Sequence, residues 1–522
     1  MTRHILPTAL IFLLFLSVTV VLQLLGGAYA ADLAGDDEAA HYVTGMMVRT
    51  YLASRQWFEP MEFARAYYNA YPKVAIGHWP PVFYLVQALW TLVFTASRES
   101  VLLLMAALAA GCATLSYRLF SRLVGSAAAV VCGVVFLCVP VVQYLSSAVM
   151  AELLVLAWML LALSAYARYL DSERALDSFQ FGLFAAAAIL TKANGFALAL
   201  APPLAILLAR KTGLIRRLSF WMPLAVVAIT CAPWYLFTFG AAAEGWQGSK
   251  NPKFLLGTVA LFNLKAMQQQ AGSCTLVLAA LGCYAAVVRP LLDRRAVESV
   301  WAVAAATLVA TLVFHSVIAP VRDARHLLAA ILLALLLAAR GLLHGIHAIP
   351  VLSRHPARAA LLGGAVAVAA FGFESFRLMK KPANGASEVA AALTSDPYKK
   401  SSVLVSSPGA SGEGAIIAET ALRSHDPVRR LIRASKLLAS VSWDGRGYRL
   451  LTPHPADVLR SISDAGVELV VWQKPSATDQ APPHHLQIAE TLRRYPDRFK
   501  QIIHAEGVNT FEVYEVAGPA QR

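Results

Sequence analysis

Long apolar runs separated by short polar turns recur along the first three-quarters of the chain. Runs long enough to cross a bilayer fall near residues 5–25, 100–117, 125–146, 149–167, 178–192, 195–209, 218–239, 272–288, 298–318, 326–346 and 358–376. Some twenty apolar residues at a helical rise of ~1.5 Å span the hydrocarbon core, so each run predicts a transmembrane helix. A further candidate, 80–96, opens at His78-Trp79-Pro80-Pro81. From about Lys380 the pattern shortens. Strands are predicted at 401–406 and 467–472, helices at 415–423 and 456–465, and a hairpin pairing 499–503 with 510–514. The pattern therefore predicts an α-helical polytopic membrane domain, residues 1–380, and a small α/β domain, residues 381–522.

Composition agrees with a membrane protein: 58% of the 522 residues are hydrophobic and 15% charged, and the mean hydropathy is +0.57. The net charge of +14 would suit a nucleic-acid binder, but its placement excludes that class. Arginines collect in short loops between apolar runs, as at Arg118 and Arg122, Arg168 and Arg174, Arg216-Arg217 and Arg294-Arg295. That is the bias of cytoplasmic loops. With those loops inside, both flanks of 80–96 lie outside, so that segment is expected to be re-entrant or interfacial. Eleven spans then leave the N-terminus inside and the C-terminal domain outside. The first run reads as a retained helix rather than a signal peptide, since it is long for one and Ala28-Tyr29-Ala30 is a weak cleavage site. The six cysteines show neither a disulfide framework nor zinc spacing. Trp57, Trp79, Trp234 and Trp246 read as interfacial aromatics.

The candidate chemistry lies in the outer loops. Asp36-Asp37-Glu38, followed by His41, stands about ten residues beyond the first run. Carboxylates bunched at a membrane boundary repel one another, so they mark a functional site or, more plainly, an acidic first turn of a helix. The same outer side receives Glu152, Lys192 with Asn194, the 240–270 loop with Trp246, Lys250 and Lys253, and Arg322, Arg325 and His326. Acids from one loop thus share a face with bases from others, which suits a substrate bearing a phosphate and a proton to be removed. In the small domain, the loop 408–414 between strand and helix resembles a phosphate cradle. Its spacing fits neither common phosphate-loop pattern, so an ordinary turn is expected.

Together these residues resemble the C-type membrane glycosyltransferases, in the branch of the protein mannosyltransferases and aminoarabinose transferases. The resemblance covers about residues 1–380. It rests on Asp37-Glu38 after the first helix, His78 with Pro80-Pro81, the turn Leu190-Thr191-Lys192, and Arg325-His326 leading a late helix. It implies transfer of a sugar from a polyprenyl-phosphate carrier to an extracytoplasmic lipid, glycan or protein acceptor, with inversion at the anomeric carbon. In that reading Asp37 is the base, with Glu38 or Asp36 tuning it. Arg325, Lys192, Arg322, His78 and His326 hold the carrier phosphate, and Glu152 and His41 contact substrate. The extra Asp36 and the short 240–270 loop depart from the pattern; the latter makes protein as acceptor less secure than the fold. No cofactor is expected, although Asp36, Asp37, Glu38 and Glu152 could offer oxygen ligands to a divalent cation. The expected location is the inner membrane, with the site on its periplasmic face. A flippase for lipid-linked sugars would use the same basic cradle but needs charges deep within several spans, where this sequence has few. A plain membrane anchor for the small domain would not require the outer acids and bases.

Overall fold

The computed structural model describes residues 7–35, 37–55, 58–241, 255–424, 429–442, 446–475, 480–505 and 510–517. Trp57, Trp246, Lys250 and Lys253 lie outside that set. Among the described residues, eight helices are long and apolar enough to cross a membrane: α1 (Thr8–Leu25), Arg98–Val124, Glu152–Ser172, Leu218–Phe237, Ser273–Leu292, Ser299–Ile318, Ala324–Ala348 and Pro356–Glu374. The predicted run 125–146 is a broken pair, Ser126–Cys138 and Pro140–Ser146, bent by 70°. The cause is local: proline drives the preceding Val139 to an extended ψ of 129°, which ends the first helix and starts the second. The runs 178–192 and 195–209 form the shorter helical segments Ala175–Thr191 and Ala193–Leu208. By length, eleven spans thus become eight, or nine with the bent pair, with shorter apolar helices between them.

Three helices after α1 set up the surface that carries the acidic cluster. Helix α2 (Glu38–Ser54) begins at the acidic cluster, and its first ten residues are buried. Helix α3 (Pro60–Ala70) is amphipathic. Helix α4 (Val82–Val93) realises the 80–96 segment in only twelve residues. At 1.5 Å per residue it reaches ~18 Å, too short to cross. It packs along α2, where the Gln87 amide donates to the Tyr42 carbonyl (3.1 Å).

The C-terminal domain has a five-stranded sheet in the order β2-β1-β5-β7-β6. Strands β1 (Val403–Ser406), β2 (Leu431–Arg433) and β5 (Leu469–Gln473) are mutually parallel, whereas β6 (Phe499–Ala505) and β7 (Phe511–Val516) form the expected hairpin. A two-stranded ribbon, β3 (Ala439–Ser440) with β4 (Arg449–Leu450), stands apart. The helix after β1 spans Ala410–Arg423, so it starts five residues before the predicted 415. The supposed cradle is a short Ser407–Gly409 turn running straight into a helix.

Buried polar contacts join this domain to the membrane helices. Asp32 accepts from the amides of Asn384, Ala386 and Ser387 at 2.6, 3.2 and 3.0 Å, capping the Ala386–Leu393 helix. Fully buried Glu419 accepts from both sides: Arg98 at 2.7 Å, Arg423 at 2.8 Å and the Leu33 amide at 2.8 Å. The helix Ala410–Arg423 also lies against α2, where a Cβ on Gly414 would sit 3.1 Å from Ala39 Cβ and 2.9 Å from Lys73 Cε. A Cβ there would press both neighbours aside.

Candidate active site

Helix ends supply the site. Asp37 precedes α2, Glu152 opens the Glu152–Ser172 helix, Lys192 follows the last residue of Ala175–Thr191, and Arg325 lies in the first turn of Ala324–Ala348. Acids at helix N-termini and a base at a C-terminus match the partial charges of those ends.

The four groups converge. Arg325 Nη1 donates to Asp37 Oδ2 at 2.6 Å, across 288 residues of sequence. Its Nε lies 2.7 Å from Asp323 Oδ2 and 3.7 Å from Glu152 Oε1. Lys192 Nζ reaches the same Glu152 oxygen at 2.5 Å. Asn194 pairs with His326 Nδ1 at 2.6 Å, and His326 stacks on His315. Glu152 is buried, and its other oxygen, Oε2, has no hydrogen-bond partner among the described residues.

His41, one turn into α2, is buried and stacks on Trp79 with centroids 4.2 Å apart. Its Nδ1 pairs with the Tyr84 hydroxyl at 3.1 Å. Burial, and next the Lys192 ammonium, hold its pKa down at about 3. It is therefore a neutral ring near physiological pH and offers a hydrogen bond rather than a charge. Trp79 is a wall of the site, not the interfacial aromatic expected.

A cavity of about 780 Å³ opens above this cluster. Asp37, Lys73, His78 and Trp79 line its membrane side; Ser407, Glu413, Arg433 and Tyr448 line its other side, from the C-terminal domain. Among the residues expected at the site, Asp37, Glu152, Lys192, Arg325, His326 and His41 are thus gathered, and His78 faces the cavity. Arg322 stays exposed on its loop and lines neither this cavity nor the small pocket beside Glu152 and His326. Asp36 lies outside the described residues. Glu38 turns away from Asp37: its Oε1 takes the Lys381 ammonium at 2.5 Å and its Oε2 the Gly35 amide at 2.9 Å. The adjacent acids therefore have separate surroundings, one at the cavity and one in the joint between domains. Among the described residues, no three His, Cys, Asp or Glu side chains converge as metal ligands would. Lys73, Arg433 and Lys436 escaped the sequence reading because none belongs to a motif; each is an ordinary basic residue until the fold turns it inward.

This architecture, apolar helices carrying a charged outer cluster beneath a small α/β domain, is the fold of the C-type membrane glycosyltransferases. Residues 78–237 match the family described as dolichyl-phosphate-mannose-protein mannosyltransferase. The structure is similar to that of ArnT from Cupriavidus metallidurans in the apo state, with a TM-score of 0.57 and 16% identity over 97% of this chain and 98% of that one. ArnT bound to undecaprenyl phosphate matches with a TM-score of 0.55 and 16% identity, over 97% and 99%. Archaeal oligosaccharyltransferase AglB from Archaeoglobus fulgidus, in complex with an inhibitory peptide and a dolichol-phosphate, matches with a TM-score of 0.57 and 13% identity, over 98% of this chain and 75% of that one. No curated protein matches by sequence. The resemblance read from the motifs is borne out, as is the predicted fold class.

Proposed function

We propose that this protein is an integral-membrane glycosyltransferase that moves a sugar from a polyprenyl-phosphate donor to a hydroxyl-bearing acceptor. The observation that carries this reading is the Asp37–Arg325 contact, in which Asp37 lines the large cavity. A carboxylate and a guanidinium from opposite ends of the membrane domain meet where a base and a phosphate ligand are both required. The lipid phosphates bound in the similar structures, undecaprenyl phosphate in ArnT and dolichol-phosphate in AglB, support a carrier of the same class here.

The acceptor oxygen attacks the anomeric carbon while the bond from that carbon to the phosphate oxygen breaks. The bonding pair leaves with the carrier phosphate, and the acceptor proton passes to Asp37. Attack opposite to the leaving group inverts the centre. Arg325 and Lys192 stabilise the charge that develops on the departing phosphate. In the resting state the Arg325 guanidinium engages Asp37 Oδ2. The donor phosphate competes for the same guanidinium, so donor binding would release Asp37 for proton transfer. In the reaction so written, Arg325 and Lys192 supply the positive charge that the departing phosphate requires. The arginine-rich loops support a cytoplasmic N-terminus, with the site and C-terminal domain on the periplasmic face of the inner membrane.

The test supplies purified protein with radiolabelled polyprenyl-phosphate sugar and candidate acceptors. Label transfer that Asp37→Asn abolishes is expected. Vectorial movement of intact donor without transfer would instead make the protein a flippase.

A further inference from the structure

The C-terminal domain presents a second recognition surface to Asp37. In open α/β sheets, ligands bind outside the carboxyl ends of the parallel strands. Here those ends face the cavity. Ser407 to Gly409 follow β1, and Ser435 and Lys436 follow Arg433, the last residue of β2; all of them line the cavity opposite Asp37. The turn singled out in the sequence thus sits where a ligand would be read, although it is not itself a phosphate loop.

The electrostatics of that wall favour an anion. Its carboxylate, Glu413, is buried and already engaged: Oε2 accepts from Arg433 Nε at 2.8 Å and from Ser435 Oγ at 2.6 Å, while Oε1 accepts from the Ser435 amide at 2.9 Å. Asp37 across the cavity is held by Arg325. Three cations, Lys73, Arg433 and Lys436, thus line the cavity with two carboxylates, Glu413 and Asp37, and the balance of charge among the described lining residues is positive. The volume, about 780 Å³, lies high in the range of small-molecule sites and leaves room for a second reactant beside the donor sugar.

We propose that Lys73, Arg433 and Lys436 form an acceptor subsite that binds an anionic group, phosphate or carboxylate, carried near the hydroxyl to be glycosylated. This rests on the glycosyltransferase reading and assigns the C-terminal domain its part in it: choosing the acceptor. The donor phosphate is held separately, by Arg325 and Lys192. Lys73 also gives the subsite a pH signature. Burial, with Arg433 next, brings its pKa down to about 8. The charged groups facing it are Arg433 on β2, Glu413 on the helix after β1, Asp37 before α2, and Lys436 beyond β2. The anion preference should weaken as pH rises through about 8, where Lys73 loses its proton.

The probes are glucose 6-phosphate and glucose, titrated by ligand-observed NMR against the full-length protein in nanodiscs, with undecaprenyl phosphate binding measured in parallel. Glucose 6-phosphate should bind at least ~10-fold more tightly than glucose. That preference should fall to threefold or less in Lys73→Met and in Lys436→Gln, with undecaprenyl phosphate binding unchanged. Lys436 is exposed, so its substitution reports on recognition even if the Lys73 variant folds poorly. Equal binding of the two sugars would overturn the proposal, as would a preference that survives both substitutions. So would a preference lost only in Arg325→Gln, which would place the anion in the donor half. Failure of the glycosyltransferase reading shows elsewhere, as absence of label transfer by the wild type whatever these affinities are.

Discussion

Asp37 and Glu38 are neighbours in separate surroundings, and substitution separates them. Asp37→Asn removes the proposed proton acceptor, so turnover should fall by ~10²–10⁴-fold. Undecaprenyl phosphate should still bind, and more tightly, because Arg325 loses its competitor; a kinetic assay with a parallel binding measurement checks both. Glu38→Gln instead leaves half-buried Lys381 opposite a neutral amide. Only the carboxylate of this pair is fully buried, so the cost should fall below the ~3–5 kcal/mol of a fully buried pair, and thermal unfolding should still show a loss of stability. Residual turnover in the folded fraction should exceed that of Asp37→Asn. His41 makes a prediction about pH. Its folded pKa of about 3 lies below the ordinary 6.5, so the unfolded chain takes up a proton that the native protein refuses. Stability should therefore fall as pH drops from 6.5 toward 3. In His41→Asn the acid-side decline of the thermal midpoint should be shallower. The Asp37-Glu38 motif was legible in the sequence, but the division of labour was not. Which carboxylate meets Arg325 and which meets Lys381 depends on chain segments hundreds of residues away.

Helices were the most legible elements, because long apolar runs bounded by basic loops leave few alternatives in a bilayer. Their breaks were less so: Pro140 marks where the run breaks, but not the 70° angle between its two halves. Close contacts between helices were not legible at all. Gly282, in Ser273–Leu292, and Gly341, in Ala324–Ala348, face each other with so little space that a Cβ on Gly282 would collide with the Leu337 carbonyl, and one on Gly341 with the Leu278 carbonyl. Small residues give membrane helices this approach. Gly282→Leu should force the pair apart and lower the thermal midpoint, whereas a leucine at Gly364, which has open space around it, should be tolerated. The early start of the Ala410–Arg423 helix has a related cause. Glycines at 409, 412 and 414 look like a loop in sequence, yet the helix starts at Ala410, with Gly412 close to Ser407 and Gln473 and Gly414 close to α2 and Lys73.

At the scale of the molecule, the C-terminal domain is a wall of the site rather than an appendage. The Arg98–Glu419–Arg423 cluster, the Asp32 cap and the Glu38–Lys381 pair fix it against the membrane helices. Glu419→Gln should loosen that joint, detected as faster proteolysis between Glu374 and Ala386, and should lower turnover although Asp37 and Arg325 are untouched. The proposed chemistry uses side-chain cations alone, so a chelator should leave label transfer unchanged.

By itself the sequence determined that the chain crosses a membrane repeatedly, that a small α/β domain follows, and which acids and bases lie near one boundary. Those properties are local: apolar length, alternation and loop charge are written in consecutive residues. Only the tertiary structure decided that Asp37 meets Arg325, that Glu38 serves the joint, and that Lys73, Arg433 and Lys436 share one cavity. These are long-range pairings, set by how helix ends and strand edges pack, and no periodicity along the chain encodes them.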